Sequence, residues 1–130
     1  MKLLKYAHSF EVVAELPEAL KPLRELALNF RWSWHHPTWE LFEDLEPKIW
    51  EEVGHNPLEL ITRLTPDRVA KLLQDKVFLA KLATCHQDLI DYLGAETWFD
   101  RQYPGERDAT TIAYFCAEFG YHESFPIYSG

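Results

Sequence analysis

Cysteine, glycine and positive charge are all scarce in this sequence of 130 residues. Its two cysteines, Cys85 and Cys116, form no CxxC or finger spacing, so neither a zinc site nor a disulfide framework is predicted. Lysine and arginine number 13 against 21 acidic residues, and the formal net charge of -8 disfavours nucleic acid and anionic membrane surfaces as partners. No run approaches the ~18 apolar residues of a membrane helix. We therefore expect a cytoplasmic protein with reduced cysteines, and no nucleic acid or membrane partner.

Aromatic residues and prolines are what the sequence has in abundance, with 15% aromatics and eight prolines. Five of the prolines each precede an apolar-periodic stretch, in first-turn positions where a helix does not need the missing N–H. They are Pro17, Pro37, Pro47, Pro57 and Pro66. The pattern predicts helices from residue 17 to about residue 103, with short ones over 39–45, 48–53 and 58–64 and the longest over 76–93.

Finer signals place the starts and faces of these helices. Asn56 and Thr65 stand immediately before a proline and are good N-caps. Apolar residues at three- and four-residue spacing over 16–34 predict one amphipathic first helix. Trp32 and Trp34 are two residues apart, so they point to different sides of a helix.

The chain changes character near residue 108. Residues 1–15 are typical of an extended segment, and 102–108 form a turn-rich linker. Residues 111–117 are nearly continuous in apolar side chains, which predicts a strand buried on both faces in a parallel α/β sheet. We therefore divide the chain into a helical extension, 1–108, and the start of an α/β domain, 109–130.

Two blocks of sequence carry a family resemblance. The segment A-Y-F-C-A-E-F-G-Y-H-E-S-F-P-I-Y-S-G occupies residues 113–130, and L-A-L-N-F-R-W-S-W-H-H-P with G-H-N-P occupies residues 26–37 and 54–57. Together they resemble the N-terminal region of bacterial and archaeal α-glucan (glycogen/maltodextrin) phosphorylases. In that family the first block continues into a G-G-L-G loop whose first glycine matches Gly130. We therefore expect this chain to be the front of a longer enzyme.

The resemblance implies a reaction, a fold and a cofactor. Such phosphorylases transfer glucosyl units from the non-reducing ends of an α-1,4-glucan to inorganic phosphate, giving α-glucose 1-phosphate. Their fold is a pair of Rossmann-like domains (GT-B type), and they hold pyridoxal phosphate through a lysine. No lysine here lies in a matching context, so the cofactor is expected to bind parts of the parent outside this sequence. This chain alone is expected to be inactive.

The resemblance also implies substrate-binding residues. Glu118 matches the glutamate of a Glu-aromatic pair that borders the active-site cleft, and it stands at the end of the predicted strand, where α/β folds place ligand contacts. Gly130 matches the first glycine of the loop that approaches phosphate, where the absence of a Cβ lets N–H groups reach an anion. His122 and Glu123 in the intervening loop are weaker candidates. No catalytic residue is assigned in this chain.

Tryptophans and histidines offer further candidates. The cluster Trp32, Trp34 and Trp39 could stack on sugar rings, but short helices need such large side chains as packing, which is the favoured interpretation. Adjacent His35 and His36, with the more distant His55, lack the i, i+4 spacing and carboxylate partner of a metal site, so no metal is predicted.

Two alternatives to a phosphorylase remain open from the sequence. One is a non-catalytic carbohydrate-binding or interaction module that shares the helical region. The other is a glucan synthase with a nucleotide-sugar donor, whose motif also ends in a glycine loop. About 110 residues of helical sequence before the strand favour the phosphorylase.

Overall fold

The computed structural model describes residues 16–107, 109, 111–116 and 120–124, and this part of the chain is mostly helical. Two short 3-10 helices span Glu18–Leu20 and Phe30–Ser33. The α-helices of the described residues are α1 Pro22–Leu28, α2 His36–Leu45, α3 Pro47–Glu52, α4 Pro57–Thr62, α5 Pro66–Gln74, α6 Lys76–Gly94 and α7 Trp98–Gln102. The extended segment predicted over residues 1–15 lies outside the described residues.

Local side-chain signals fix where the middle helices begin. The Asn56 side chain accepts hydrogen bonds from the backbone N–H groups of Leu58 and Glu59, at 3.1 and 3.2 Å. The Thr65 hydroxyl accepts one from the N–H of Arg68 at 3.2 Å. Both predicted N-caps are therefore confirmed, and each satisfies amide donors that the first turn of a helix leaves without an intrahelical partner.

One hydrophobic core joins helices α1 to α6. Helix α6 packs against α1 and α2, and α1 also packs against α4. The largest fully buried side chains in this core are Trp50, Phe42, Leu20, Leu23, Leu41, Leu45, Leu60, Leu72 and Leu82. Burying one leucine or phenylalanine contributes about 1.5–3 kcal/mol. Packing of this kind is what stabilises helices as short as six residues, which are too short to persist alone.

Arginine side chains connect the helices at two further points. The Arg68 guanidinium donates to the carbonyls of Leu45 and Asp44 at the end of α2, at 2.6 and 2.7 Å. These carbonyls belong to the last turn, where no intrahelical donor is left for them. Arg31 pairs with Asp88 at 2.9 Å and so ties the second 3-10 helix to α6.

The sequence predicts one continuous helix over residues 16–34, and this prediction is wrong. Helix α1 ends at Leu28, and Asn29 adopts extended backbone angles, φ -98° and ψ 112°. The Asn29 side chain accepts a hydrogen bond from the N–H of Arg31 at 3.1 Å and starts a new 3-10 helix. Asparagine side chains compete with helical backbone bonds in this way, which explains the break.

The strand predicted over residues 111–117 is not seen in its described part, residues 111–116. Residues 111–116 have no regular secondary structure and are exposed, with Phe115 92% exposed. A strand is stabilised by hydrogen bonds to a neighbouring strand, and the described residues contain no strand with which this segment could pair. The α/β domain and the boundary at residue 108 stay predictions.

Candidate functional site

An aromatic cluster lies where the second 3-10 helix meets α2 and α3. We define it as Trp32, Trp39, Phe42 and Trp50. The ring centroids of Trp32 and Trp39 are 5.9 Å apart, and those of Trp39 and Trp50 are 5.1 Å apart at 78°. The first pair is tilted, at 32°, and the second is edge-to-face, an arrangement that adds about 0.5–1.5 kcal/mol beyond the area it buries. The interpretation that tryptophans bind the short helices together is confirmed for these residues.

The segment 120–124 lies directly on the aromatic cluster. The His122 ring centroid is 4.7 Å from that of Trp32 and 5.3 Å from that of Trp39. It also lies 6.4 Å from the ring of Phe30. The two blocks of sequence noted above, distant along the chain, are therefore in contact in the structure.

The hydrogen bonds of His122 define its protonation state. Its Nδ1 accepts a hydrogen bond from the backbone N–H of Ser124 at 3.1 Å and lies 2.9 Å from the Ser124 hydroxyl. A nitrogen that accepts carries no proton, so the ring is neutral with its proton on Nε2. Burial lowers the pKa of His122 below its ordinary value. The negative charge of Glu123 acts to raise this pKa but does not offset the effect of burial.

His55 also contacts this segment and is held by an unusual turn. Gly54 and His55 have positive φ angles, 55° and 58°. The N–H of His55 donates to the carbonyl of Trp50 at 3.0 Å, and that of Gly54 to the carbonyl of Glu51 at 3.1 Å. This pair of bonds is a Schellman motif, which ends α3 and favours glycine at the first left-handed position. The ring of His55 then packs 5.1 Å from that of Trp50.

Both ring nitrogens of His55 face carboxylates. Nδ1 is hydrogen-bonded to Glu123, and Nε2 lies 3.2 Å from Glu51. Both nitrogens must carry protons to donate to both partners, so the geometry requires an imidazolium. Burial lowers the pKa of His55, but the hydrogen bonds and charges of Glu123 and Glu51 outweigh burial, and the net pKa is raised. The hydrogen bond from His55 in turn lowers the pKa of Glu123.

The predicted site residues fall into two groups. Glu118 and Gly130 lie outside the described residues, so their roles stay predictions. The weaker candidates His122 and Glu123 are described, and the structure brings both onto the helices. His55 was considered only as a metal ligand, and its pairing with Glu123 across 68 residues has no local signal in the sequence.

The tryptophan block divides between core and surface. Trp32 is 3% exposed, whereas Trp34 is 61% exposed. Trp34 lines an open cleft of about 260 Å³ together with Ser33, His36 and Trp39. The core interpretation therefore fails for Trp34, whose ring is available to a ligand or to another part of the protein.

His35, just before α2, serves the fold. His35 lies 2.7 Å from the Thr38 hydroxyl and 3.0 Å from Asp88, and burial lowers its pKa. Among the described residues, no group of three or more histidine, cysteine or acidic side chains is placed to hold a metal.

Comparison with known proteins places the chain in a family. A family model described as "Protein of unknown function (DUF3417)" matches residues 16–125. The chain belongs to this family. It is 41% identical over 131 residues to a glycogen phosphorylase of Mycobacterium tuberculosis (strain H37Rv), covering 98% of this chain and 15% of the relative. No solved structure matches it significantly.

Two relatives of lower sequence identity are also named phosphorylases. A maltodextrin phosphorylase of Thermococcus litoralis is 33% identical over 121 residues, covering 92% of this chain and 14% of that protein. A glycogen phosphorylase of Aquifex aeolicus is 30% identical over 112 residues, covering 83% and 15%. The resemblance to α-glucan phosphorylases is thus confirmed, and the chain spans about 15% of the length of the curated relatives it matches.

Proposed function

We propose that this chain is the N-terminal part of an α-glucan phosphorylase. The parent would transfer glucosyl units from the non-reducing ends of an α-1,4-glucan to inorganic phosphate, giving α-glucose 1-phosphate. The observation that carries the proposal is the contact between the two resembling blocks, in which His122 packs on Trp32 and Trp39. The names of the relatives, glycogen and maltodextrin phosphorylase, support the same reaction class.

In this proposal the helical region supports the entrance of a GT-B catalytic domain. Glu118 and Gly130 flank the docked segment 120–124 in sequence. Exposed apolar side chains over 111–116 would then be covered by the sheet of the catalytic domain. Burial of Ile112 and Phe115, at 81% and 92% exposed here, would stabilise that assembly.

Pyridoxal phosphate is the cofactor of the proposed parent, in which its phosphate group supplies proton transfer. Lys81 does not fit a Schiff-base role, which needs a desolvated amine of lowered pKa. Lys81 instead pairs with Asp44 at 2.6 Å and with Glu40 at 3.6 Å. Burial alone would lower the pKa of Lys81, but these acidic partners raise it. We therefore propose that the cofactor binds parts of the parent outside this chain.

The substrates of the parent would be a neutral glucan and inorganic phosphate, in the cytoplasm. A glucan is indifferent to the net charge of -8. Among the described residues, every helix is too short or too polar to span a bilayer.

A glucan-binding surface is a second candidate function, favoured by the exposed ring of Trp34 at its cleft. Indole faces stack on the C–H faces of sugars, and the Ser33 hydroxyl and His36 imidazole in the same cleft could bind sugar hydroxyls. Such a surface is compatible with a phosphorylase parent and would add affinity for the polymer.

The proposal is tested by assaying the full-length parent. Purified enzyme with pyridoxal phosphate is given maltodextrin and phosphate, and glucose 1-phosphate is measured. A parallel reaction supplies a nucleotide glucose without phosphate. We expect glucose 1-phosphate in the first reaction and none from this 130-residue chain alone, which holds no complete site. Glucan elongation from the nucleotide sugar without phosphorolysis would support the synthase alternative.

A further inference from the structure

We propose that His55 is a positioning residue that fixes the segment 120–124 by acting as a cation between Glu51 and Glu123. This inference rests on the proposed phosphorylase function. It assigns to the helical region a specific residue through which it acts on the catalytic motif.

The first step of the argument is the backbone of His55. As the residue after Gly54 in the Schellman motif, it occupies the position that commonly packs on the third-last residue of the helix. Here that residue is Trp50, and the rings lie 5.1 Å apart. The ring also lies 4.9 Å from that of Trp39. The turn and the two indole rings therefore fix the imidazole of His55 independently of its contact with Glu123.

The second step is the charge of the ring. The titratable groups facing His55 are Glu51 on α3, Glu123 on the docked segment and His122, whose ring centroid is 6.4 Å away. The two carboxylates favour the cationic form of His55, whereas burial among aromatic rings keeps His122 neutral. The segment is therefore held by one ion pair, through Glu123, and by one ring contact, through His122.

The third step is the energetic scale. An exposed ion pair contributes little to global stability. It can still select one position of a short segment, because an unrestrained loop samples many conformations at small cost. We therefore expect the loss of His55 to change substrate kinetics more than folding.

The test uses His55→Asn in the full-length parent. Asparagine tolerates positive φ better than most residues, so the turn is preserved, but its side chain is too short to bridge both carboxylates. The matched control is His86→Asn, which removes another histidine–carboxylate pair, His86 to Glu25 at 2.7 Å, between α6 and α1. Phosphorolysis kinetics, melting temperature and hydrogen exchange over residues 120–124 are measured for each variant.

We expect His55→Asn to lower kcat/KM for phosphate about five-fold or more, with a near-normal melting temperature and faster exchange over 120–124. His86→Asn should leave all three unchanged. Glu123→Gln should resemble His55→Asn, and the double variant should lose little more, because both changes remove the same interaction. His55→Asn with wild-type kinetics and exchange, in an active parent, would overturn this inference alone. A parent without phosphorolytic activity would overturn it together with the proposed function.

Discussion

The ring of His122 lies 4.7 Å from the ring of Trp32, at an interplanar angle of 73°. One residue belongs to a short 3-10 helix near the start of the described chain and the other to the segment 120–124 near its end. This edge-on contact joins the two regions that resemble phosphorylases. The tryptophan-rich helices therefore contact the segment 120–124 in addition to packing against one another.

The two neighbouring tryptophans should differ sharply in their contribution to stability. Trp32→Ala empties a core position and should cost about 3–5 kcal/mol, measured by denaturant unfolding. Trp34→Ala removes a largely exposed ring and should cost less than about 1 kcal/mol. Equal losses from both would contradict the assignment of Trp34 to the surface. If the Trp34 cleft binds glucan, Trp34→Ala should weaken maltodextrin binding without changing the unfolding midpoint.

The pKa of His55 should lie above the ordinary histidine value of 6.5, and the pKa of His122 should lie below it. The stabilising contribution of His55 is full below 6.5 and is lost as pH rises through its raised pKa. For His122, the neutral ring is the folded form, so its contribution is present above 6.5 and lost as pH falls through its lowered pKa. Ring-proton NMR titration of the chain measures both. A pKa for His55 below that of His122 would contradict the hydrogen-bond assignment.

The two cysteines should react at very different rates. Cys85 is buried, and burial raises its pKa, whereas Cys116 is exposed. The thiolate is the reactive form, so an alkylating reagent should modify Cys116 quickly and Cys85 only when the chain unfolds. In the full-length parent, Cys116 should become protected if residues 111–116 join a catalytic sheet. Rapid labelling of Cys116 in the folded parent would count against the proposed α/β domain.

Glu118 should affect catalysis more than folding in the full-length parent. Glu118→Gln keeps the shape of the side chain and removes its charge. We expect kcat/KM to fall about ten-fold or more, which corresponds to about 1.4 kcal/mol of transition-state stabilisation. The melting temperature should change little. Normal kinetics with a large drop in melting temperature would instead assign Glu118 to a buried structural pair.

The sequence predicts features that depend on neighbouring residues. Asn56 and Thr65 are identified as N-caps because capping involves a side chain and amides two or three residues away. The long helix is predicted over 76–93 and observed at Lys76–Gly94 because its apolar spacing repeats over many turns. The two-residue spacing of Trp32 and Trp34 predicts that they point to different sides of a helix, but not that Trp34 is exposed.

Features that depend on distant residues could not be predicted in the same way. The pairing of His55 with Glu123 requires the segment 120–124 to return to the end of α3, and no local pattern encodes that approach. The break at Asn29 was missed because the apolar stripe continues through it. The strand over 111–117 was predicted from apolar content alone, but strand formation also needs a neighbouring strand.

The docking of the segment 120–124 on the aromatic cluster is the central claim, and nuclear Overhauser contacts in this 130-residue chain test it most directly. We predict strong contacts between the ring protons of His122 and Trp32, together with an upfield-shifted His122 ring, both lost in Trp32→Ala. Sharp His122 signals at random-coil shifts, without contacts to Trp32 or Trp39, would contradict the account.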